Sequence, residues 1–114
     1  MMTLYGIANC DTIKKSKRWL EANNLDYEFH DYKKQGCSNE LAKTFIKQFE
    51  LDKLVNKRGT TWRNLPEQQK RNLNEETAIL LMTNQPSVIK RPIVKAGKQW
   101  LLGFDEQHWQ SLLT

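Results

Sequence analysis

The chain has 114 residues and a mass of 13.5 kDa, which is the size of one domain. With 39% hydrophobic and 27% charged residues, it has an ordinary globular composition that can bury one core. Two cysteines are too few for a disulfide-stapled secreted scaffold, and the chain lacks any run of about 18 apolar residues that would predict a membrane span. Because no charged-then-apolar leader opens the chain, we expect a cytoplasmic protein.

Lys and Arg number 18 against 13 Asp and Glu, a net charge of +5 that raises the question of an anionic partner. The chain has no run of five like charges, so its sequence does not predict a charged tail that binds nucleic acid. Three of the four tryptophans (Trp19, Trp100 and Trp109) fall at apolar positions of their segments, which favours core packing over an aromatic nucleic-acid surface. We therefore expect no nucleic-acid or membrane partner and a monomer. The basic residues form small clusters at 14–18, 57–63 and 90–91.

The first third of the chain predicts a strand, a helix and a second strand. Residues 2–7 form the first strand, and Ile13, Ser16, Trp19 and Leu20 lie on one helix face before a stop at 23–24. Residues 27–32 alternate with period two, which is typical of a strand. A strand–helix–strand unit this short implies parallel strands.

The middle of the chain predicts helices. Gly36 breaks the chain, and Ser38 caps a helix whose apolar residues extend to Phe49. A helical turn follows over 51–55, the polar stretch 56–64 predicts a loop, and Pro66 suits the first turn of a short helix.

A second long helix and a carboxyl-terminal hairpin complete the pattern. Asn74 is a good N-cap for a helix that stops before Pro86. Val88–Ile89 predicts a strand ending at 91–92, and residues 93–102 predict a hairpin turning at 96–98. Asp105 then caps a terminal helix. The order βαβ, helical middle, ββα predicts an α/β or α+β domain.

The most informative chemistry is the thiol of Cys10, just after the first strand and at the start of the first helix. Unpaired N–H groups and the helix dipole at that position favour an anion, and Lys14 is one turn away. These effects stabilise the nucleophilic thiolate, although Asp11 partly opposes them. The alternative is a small buried cysteine that packs as a hydrophobic residue.

The spacing around Cys10 excludes a dithiol cycle within this segment, because position 13 is Ile rather than Cys. A resolving thiol would have to be Cys37 or a second molecule such as glutathione. The simplest interpretation of Cys37 is an incidental exposed thiol beside Gly36. The two histidines and the carboxylates show no metal-ligand spacing, so we expect no bound metal or cofactor.

The segment from Tyr5 to Lys15 resembles the arsenate-reductase-like (ArsC) family, which includes the regulator Spx, and it looks closest to the YffB-like branch. The resemblance continues through 58–63 (Arg-Gly-Thr-Thr-Trp-Arg), 89–92 (Ile-Lys-Arg-Pro) and 101–104 (Leu-Leu-Gly-Phe). It implies a single thioredoxin-like domain over 1–114, with a helical insertion at about 38–85 between the βαβ and ββα parts.

The resemblance also implies the site. The family places its nucleophilic cysteine at Cys10 and oxyanion-binding arginines at Arg58 and Arg91, whose guanidinium groups hold an anion beside the thiolate. It implies a cis-proline at Pro92, facing the thiol. Asn9 and Thr12 flank the thiol as further substrate or glutathione ligands, with Lys14, although local capping explains Asn9 and Thr12 equally well.

Two departures separate the chain from the arsenate-reducing members, which carry a histidine where this chain has Gly6 and an arginine where it has Gly103. The Spx branch uses a C-x-x-C switch that Ile13 removes. The favoured hypothesis is therefore a monothiol oxidoreductase with glutathione as co-substrate and a small anionic or disulfide substrate. An Spx-like regulatory domain without catalysis and a true arsenate reductase are the alternatives.

Overall fold

The computed structural model describes residues 2–113, and the strands of this part of the chain form one mixed four-stranded sheet, in which the first strand lies between the second and the third and the fourth lies beside the third at one edge. The first strand runs parallel to the second, from Met2 beside Tyr27 to Gly6 beside Asp31. It runs antiparallel to the third, which pairs with the fourth as a hairpin. The strands are β1 (Met2–Gly6), β2 (Tyr27–Asp31), β3 (Ile93–Ala96) and β4 (Gln99–Leu102).

Helix α1 (Asp11–Ala22) connects the two parallel strands, as the βαβ pattern predicted. Three residues of the predicted helix face, Ile13, Ser16 and Leu20, are buried, and the fourth, Trp19, is partly buried against the core. Leu20 packs with Leu4 and Val94 of the sheet in a fully buried cluster. Burial of such side chains is the main stabilising contribution to a domain of this size.

The chain divides into two compact units. The first comprises the described residues up to Gln35 and from Arg91 onward, and the second spans Gly36–Lys90. The predicted helical insertion falls inside the second unit, and the assignment of 1–114 to a single domain stays a prediction. No helix among residues 2–113 is long and apolar enough to cross a membrane.

The second unit is helical, and its two long helices begin at the predicted caps. The Ser38 side chain accepts a hydrogen bond from the Leu41 N–H, and the Asn74 side chain accepts one from the Thr77 N–H. Thr77 returns a bond from the Asn74 N–H and completes a capping box. Numbered after the one-turn helix α2 (Tyr32–Gln35) of the first unit, the helices are α3 (Asn39–Gln48), α4 (Leu51–Leu54), α5 (Thr60–Arg63), α6 (Glu67–Arg71) and α7 (Glu75–Asn84).

Two predictions for the second unit were wrong. The expected strand at Val88–Ile89 is a 3₁₀ turn over Pro86–Val88, and Ile89 pairs with Val55 in an isolated β-bridge instead of a strand. The expected loop over 56–64 contains the one-turn helix α5, which places Trp62 in a buried position. In both places tertiary packing overrides a weak local pattern.

Short helices flank the sheet in the first unit. A turn of helix at Tyr32–Gln35, which the sequence did not predict, follows β2 directly. The predicted terminal helix starts as expected, because the Asp105 side chain accepts a hydrogen bond from the Gln107 N–H. It is α-helical only over Glu106–Trp109 and continues as a 3₁₀ helix over Gln110–Leu113.

Candidate functional site

Cys10 lies where the β1–α1 connection becomes the helix. It is the N-cap residue of α1 in an extended conformation, with φ −150° and ψ 126°. Its N–H donates to the Ala8 carbonyl at 3.0 Å, and its carbonyl accepts the first helical bond from the Lys14 N–H at 3.0 Å. The thiol is half-buried. It therefore stands at the amino-terminal end of the helix, where anions are favoured.

The net effect of the surroundings is to lower the pKa of Cys10. Burial is the largest single influence and raises this pKa, but the N–H of Ile13, the Arg91 side chain and the N–H of Thr12 lie close enough to stabilise the deprotonated sulfur. The positive charge of Arg91 lowers the pKa further. The thiolate is the nucleophilic form of a cysteine, so this environment favours the form that a nucleophilic role would require.

Arg91 reaches Cys10 from just before β3. It is half-buried, and its Nε is buried. The Arg91–Pro92 peptide bond is cis, Pro92 is fully buried, and the Pro92 carbonyl accepts a hydrogen bond from the Gly103 N–H at 2.8 Å. The arginine side chain thus comes from an anchored segment. A planar guanidinium suits this position because it can hold a thiolate and an anionic ligand with fixed geometry.

Three other predicted site residues of the first unit are neighbours of Cys10 in the sequence. Asn9 and Lys14 are exposed, and Thr12 is half-buried. Thr12 acts on the sulfur through its backbone N–H, and its carbonyl accepts a bond from the buried Ser16 hydroxyl at 2.7 Å. The lowering of the Cys10 pKa comes from backbone groups and Arg91, and the tuning role given to Lys14 stays a prediction.

Arg58 belongs to the second unit, where it is exposed on a tight turn. Its N–H donates to Asn56 Oδ1 at 3.3 Å, and the Gly59 N–H donates to the Asn56 carbonyl at 3.2 Å. Asn56 is itself anchored, because its N–H donates to the Val88 carbonyl at 2.8 Å. The turn therefore has a defined shape, and the assignment of Arg58 to the site stays a prediction.

Cys37 corrects the expectation of an exposed thiol. It is only 5% exposed, and burial raises its pKa to about 11. A buried, protonated thiol is a poor nucleophile at neutral pH. The two cysteines of the chain therefore differ in the direction of their pKa shifts as well as in position.

The backbone donor at Ile13 was not named from the sequence. Its N–H contributes to the site while its side chain is fully buried. The only available signal was the predicted helix start, which implies free N–H groups in the first turn. Among residues 2–113, no three His, Cys, Asp or Glu side chains are grouped so that they could hold a metal ion.

Comparison with known proteins settles the family. The family model described as "ArsC family" matches residues 5–112. The chain belongs to the ArsC family. It is 44% identical over 111 residues to an uncharacterized protein of Haemophilus influenzae, with 97% of each chain covered.

Two further similarities place the chain within the family. A solved structure titled YFFB (PA3664) protein superposes with a TM-score of 0.95 at 40% identity, covering 100% of both chains. This match confirms the YffB-like branch and the thioredoxin-like α/β fold. The chain is also 26% identical to the global transcriptional regulator Spx 2 of Bacillus anthracis, over 99% of this chain and 87% of that protein. ArsC-family membership supports either a thiol-dependent oxidoreductase-like or an Spx-like protein.

Proposed function

We propose that the protein is a monothiol oxidoreductase that reduces a small disulfide or oxyanion substrate with glutathione. The observation that carries this proposal is the Arg91 side chain beside Cys10, where it lowers the thiol pKa together with the N–H groups of Ile13 and Thr12. A structural cysteine needs no such environment, whereas a nucleophile does.

The chemistry balances with one protein thiol. The Cys10 thiolate attacks one sulfur of a disulfide, forms a mixed disulfide and releases the other sulfur as a thiolate. A glutathione thiolate then attacks the substrate sulfur of that mixed disulfide and regenerates the Cys10 thiolate, while the substrate leaves as its disulfide with glutathione. A second glutathione thiolate attacks the glutathione sulfur of this product, which releases the substrate thiolate and oxidised glutathione and completes the reduction. The second step needs an external thiol, because position 13 is isoleucine and Cys37 is buried.

Glutathione is anionic, so the basic residues of the site can bind it. Arg58 and Arg91 bind a carboxylate or an oxyanion. Lys14, Asn9 and Thr12 add polar contacts, and Pro92 packs beside the thiol and the bound thiol ligand. We place this reaction in the cytoplasm, where the glutathione pool keeps thiols reduced, and assign it to a monomer.

The test is capture of the mixed disulfide. Reduced protein is mixed with oxidised glutathione at pH 7, and adduct formation is followed by intact mass and peptide mapping. We expect one glutathione per chain on Cys10, which reduced glutathione removes. Cys10→Ser abolishes the adduct, Cys37→Ser leaves it unchanged, and Arg91→Ala slows its formation severalfold, because a smaller fraction of Cys10 is then thiolate.

The control for a general charge effect is Arg18→Ala, which removes an exposed arginine of α1. We expect Arg18→Ala to leave the rate of adduct formation unchanged. An adduct that forms equally on both cysteines, or at the same rate in wild type and Arg91→Ala, would show that Cys10 is not an activated nucleophile.

A second candidate, an Spx-like regulatory domain, has the 26% identity to Spx 2 in its favour. It predicts retention of purified RNA polymerase on the immobilised protein, unchanged in Cys10→Ser. We favour the enzyme because Ile13 stands where the Spx branch has its second switch cysteine. Arsenate-dependent turnover in a glutathione-coupled assay tests the third alternative, and we expect none, because Gly6 and Gly103 replace the expected histidine and arginine.

A further inference from the structure

The carboxyl-terminal helix is tied to the segment that carries Arg91. Trp109 is fully buried in the core cluster of the first unit, and its indole N–H donates to the Gly103 carbonyl at 3.1 Å. A buried tryptophan normally finds a partner for this N–H, since leaving it unpaired is costly. Here the partner is a backbone carbonyl just beyond the end of β4.

Gly103 is also hydrogen-bonded to the segment that carries Arg91. Its N–H donates to the Pro92 carbonyl at 2.8 Å, one step beyond the pairing of Ile93 with Leu102 that ends the β3–β4 ladder. Gly103 has φ +80°, a conformation that residues with a Cβ rarely adopt. The Gly103 carbonyl thus accepts a hydrogen bond from the Trp109 indole, while the Gly103 N–H donates one to the Pro92 carbonyl.

Arg91 is the residue before Pro92, and its side chain acts on the Cys10 sulfur. The backbone from which this side chain extends is thus held by two successive hydrogen bonds, from Trp109 to Gly103 and from Gly103 to Pro92. The effect of a guanidinium on a thiol pKa falls with distance. A small displacement of Arg91 therefore changes the thiolate fraction of Cys10.

We propose that Trp109 is a positioning residue for the thiol site: through Gly103 and Pro92 its indole N–H fixes the place from which Arg91 stabilises the Cys10 thiolate. This inference rests on the proposed function in that the thiolate is the reactive group. It adds Trp109, a residue of the last helix, to the groups that determine the reactivity of Cys10. Neither the spacing of the sequence nor the pattern around the cysteine predicts this role.

The test is the pH dependence of Cys10 alkylation by iodoacetamide in a Cys37→Ser background, for Trp109→Phe. Phenylalanine keeps an apolar ring but removes the N–H. We expect the apparent pKa of Cys10 to rise and alkylation at pH 7 to slow by about three- to tenfold, because the thiolate fraction falls. The matched control is Trp19→Phe, since Trp19 packs edge-on against Trp109 at 5.5 Å in the same cluster. A purely structural role would move both variants alike, whereas we expect Trp19→Phe to leave the pKa unchanged.

Arg91→Ala separates this inference from the proposed function. If Arg91→Ala raises the Cys10 pKa and Trp109→Phe does not, the positioning role is wrong while the thiolate site stands. If neither changes it, the proposed function fails.

Should Trp109→Phe not fold, the wild-type protein provides the readout by NMR. We expect the Trp109 indole N–H resonance to shift with the ionisation of Cys10 and to lose that dependence in Cys10→Ser. An indole resonance that does not respond to Cys10 ionisation overturns the proposal.

Discussion

Gly6 packs directly against the fully buried side chain of Ile13. A Cβ added to Gly6 would overlap Ile13 Cδ1 and would lie 2.9 Å from its Cγ1. An alanine at position 6 would therefore compete with the Ile13 side chain for the same space. Any side chain at position 6 would require the buried Ile13 side chain to move.

The Gly6–Ile13 contact predicts coupled stabilities. We expect Gly6→Ala to lower the free energy of unfolding by about 1–3 kcal/mol through overpacking, and Ile13→Ala by about 2–5 kcal/mol through a cavity. The double variant should lose less than the sum, because the alanine methyl at position 6 fills part of that space. Urea unfolding of the four proteins measures the coupling, and strict additivity would show that the two residues do not compete for the same volume.

The buried thiol of Cys37 predicts a loss of stability at alkaline pH. Its pKa is about 11 when folded, above the ordinary value of about 8.5. The full stabilising contribution is present below the unfolded pKa, and it is lost as pH rises through that value toward 11, since the unfolded chain releases the proton first.

The comparison that checks this prediction is urea unfolding between pH 8 and 10.5 for wild type and Cys37→Ala. We expect a steeper loss of unfolding free energy in wild type than in the variant, in which the titrating group is absent. Parallel curves would mean that Cys37 ionises as readily in the folded as in the unfolded chain.

The capping box of α7 predicts a local stability effect. Asn74→Ala removes the acceptor for the Thr77 N–H, and we expect a loss of about 1 kcal/mol in the free energy of unfolding. Asn84→Ala changes an exposed asparagine at the other end of the same helix and should stay within about 0.5 kcal/mol of wild type. Equal effects in the two variants would argue that the cap contributes nothing specific.

We expect Arg58 to affect the binding of glutathione alone, and Arg91 to affect both that binding and the pKa of Cys10. Arg91 lowers the Cys10 pKa, whereas Arg58 is not among the groups that do so. We expect Arg58→Ala to raise the KM for glutathione severalfold and leave the pH profile of alkylation unchanged, while Arg91→Ala moves both. Kinetics with varied glutathione at several pH values separate these effects. A shifted profile in Arg58→Ala would assign it a role in thiol activation instead.

Local patterns predicted the regular parts of the fold. The caps at Ser38, Asn74 and Asp105 and the alternation in β2 are short-range signals, because the hydrogen bonds of a cap join residues two or three positions apart. The strand expected at Val88–Ile89 failed for the opposite reason: an apolar pair does not distinguish a strand from a buried turn.

The site was predicted only in part. The helix start around Cys10 is local, and the sequence identified it directly. The approach of Arg91 is a consequence of β3 pairing with β1, a long-range contact, and it entered the prediction only through family resemblance. The bonds that join Trp109 to Gly103 and Gly103 to Pro92 depend on the β3–β4 register and on a positive φ, neither of which the residue pattern specifies.

The central claim is that Cys10 is a thiolate stabilised by Arg91, and the alkylation rate of Cys10 against pH tests it most directly. In a Cys37→Ser background we predict a midpoint below the ordinary value of about 8.5, which rises in Arg91→Ala and stays unchanged in Arg18→Ala. A midpoint at or above 8.5 in the otherwise wild-type protein, unaffected by Arg91→Ala, would contradict the account.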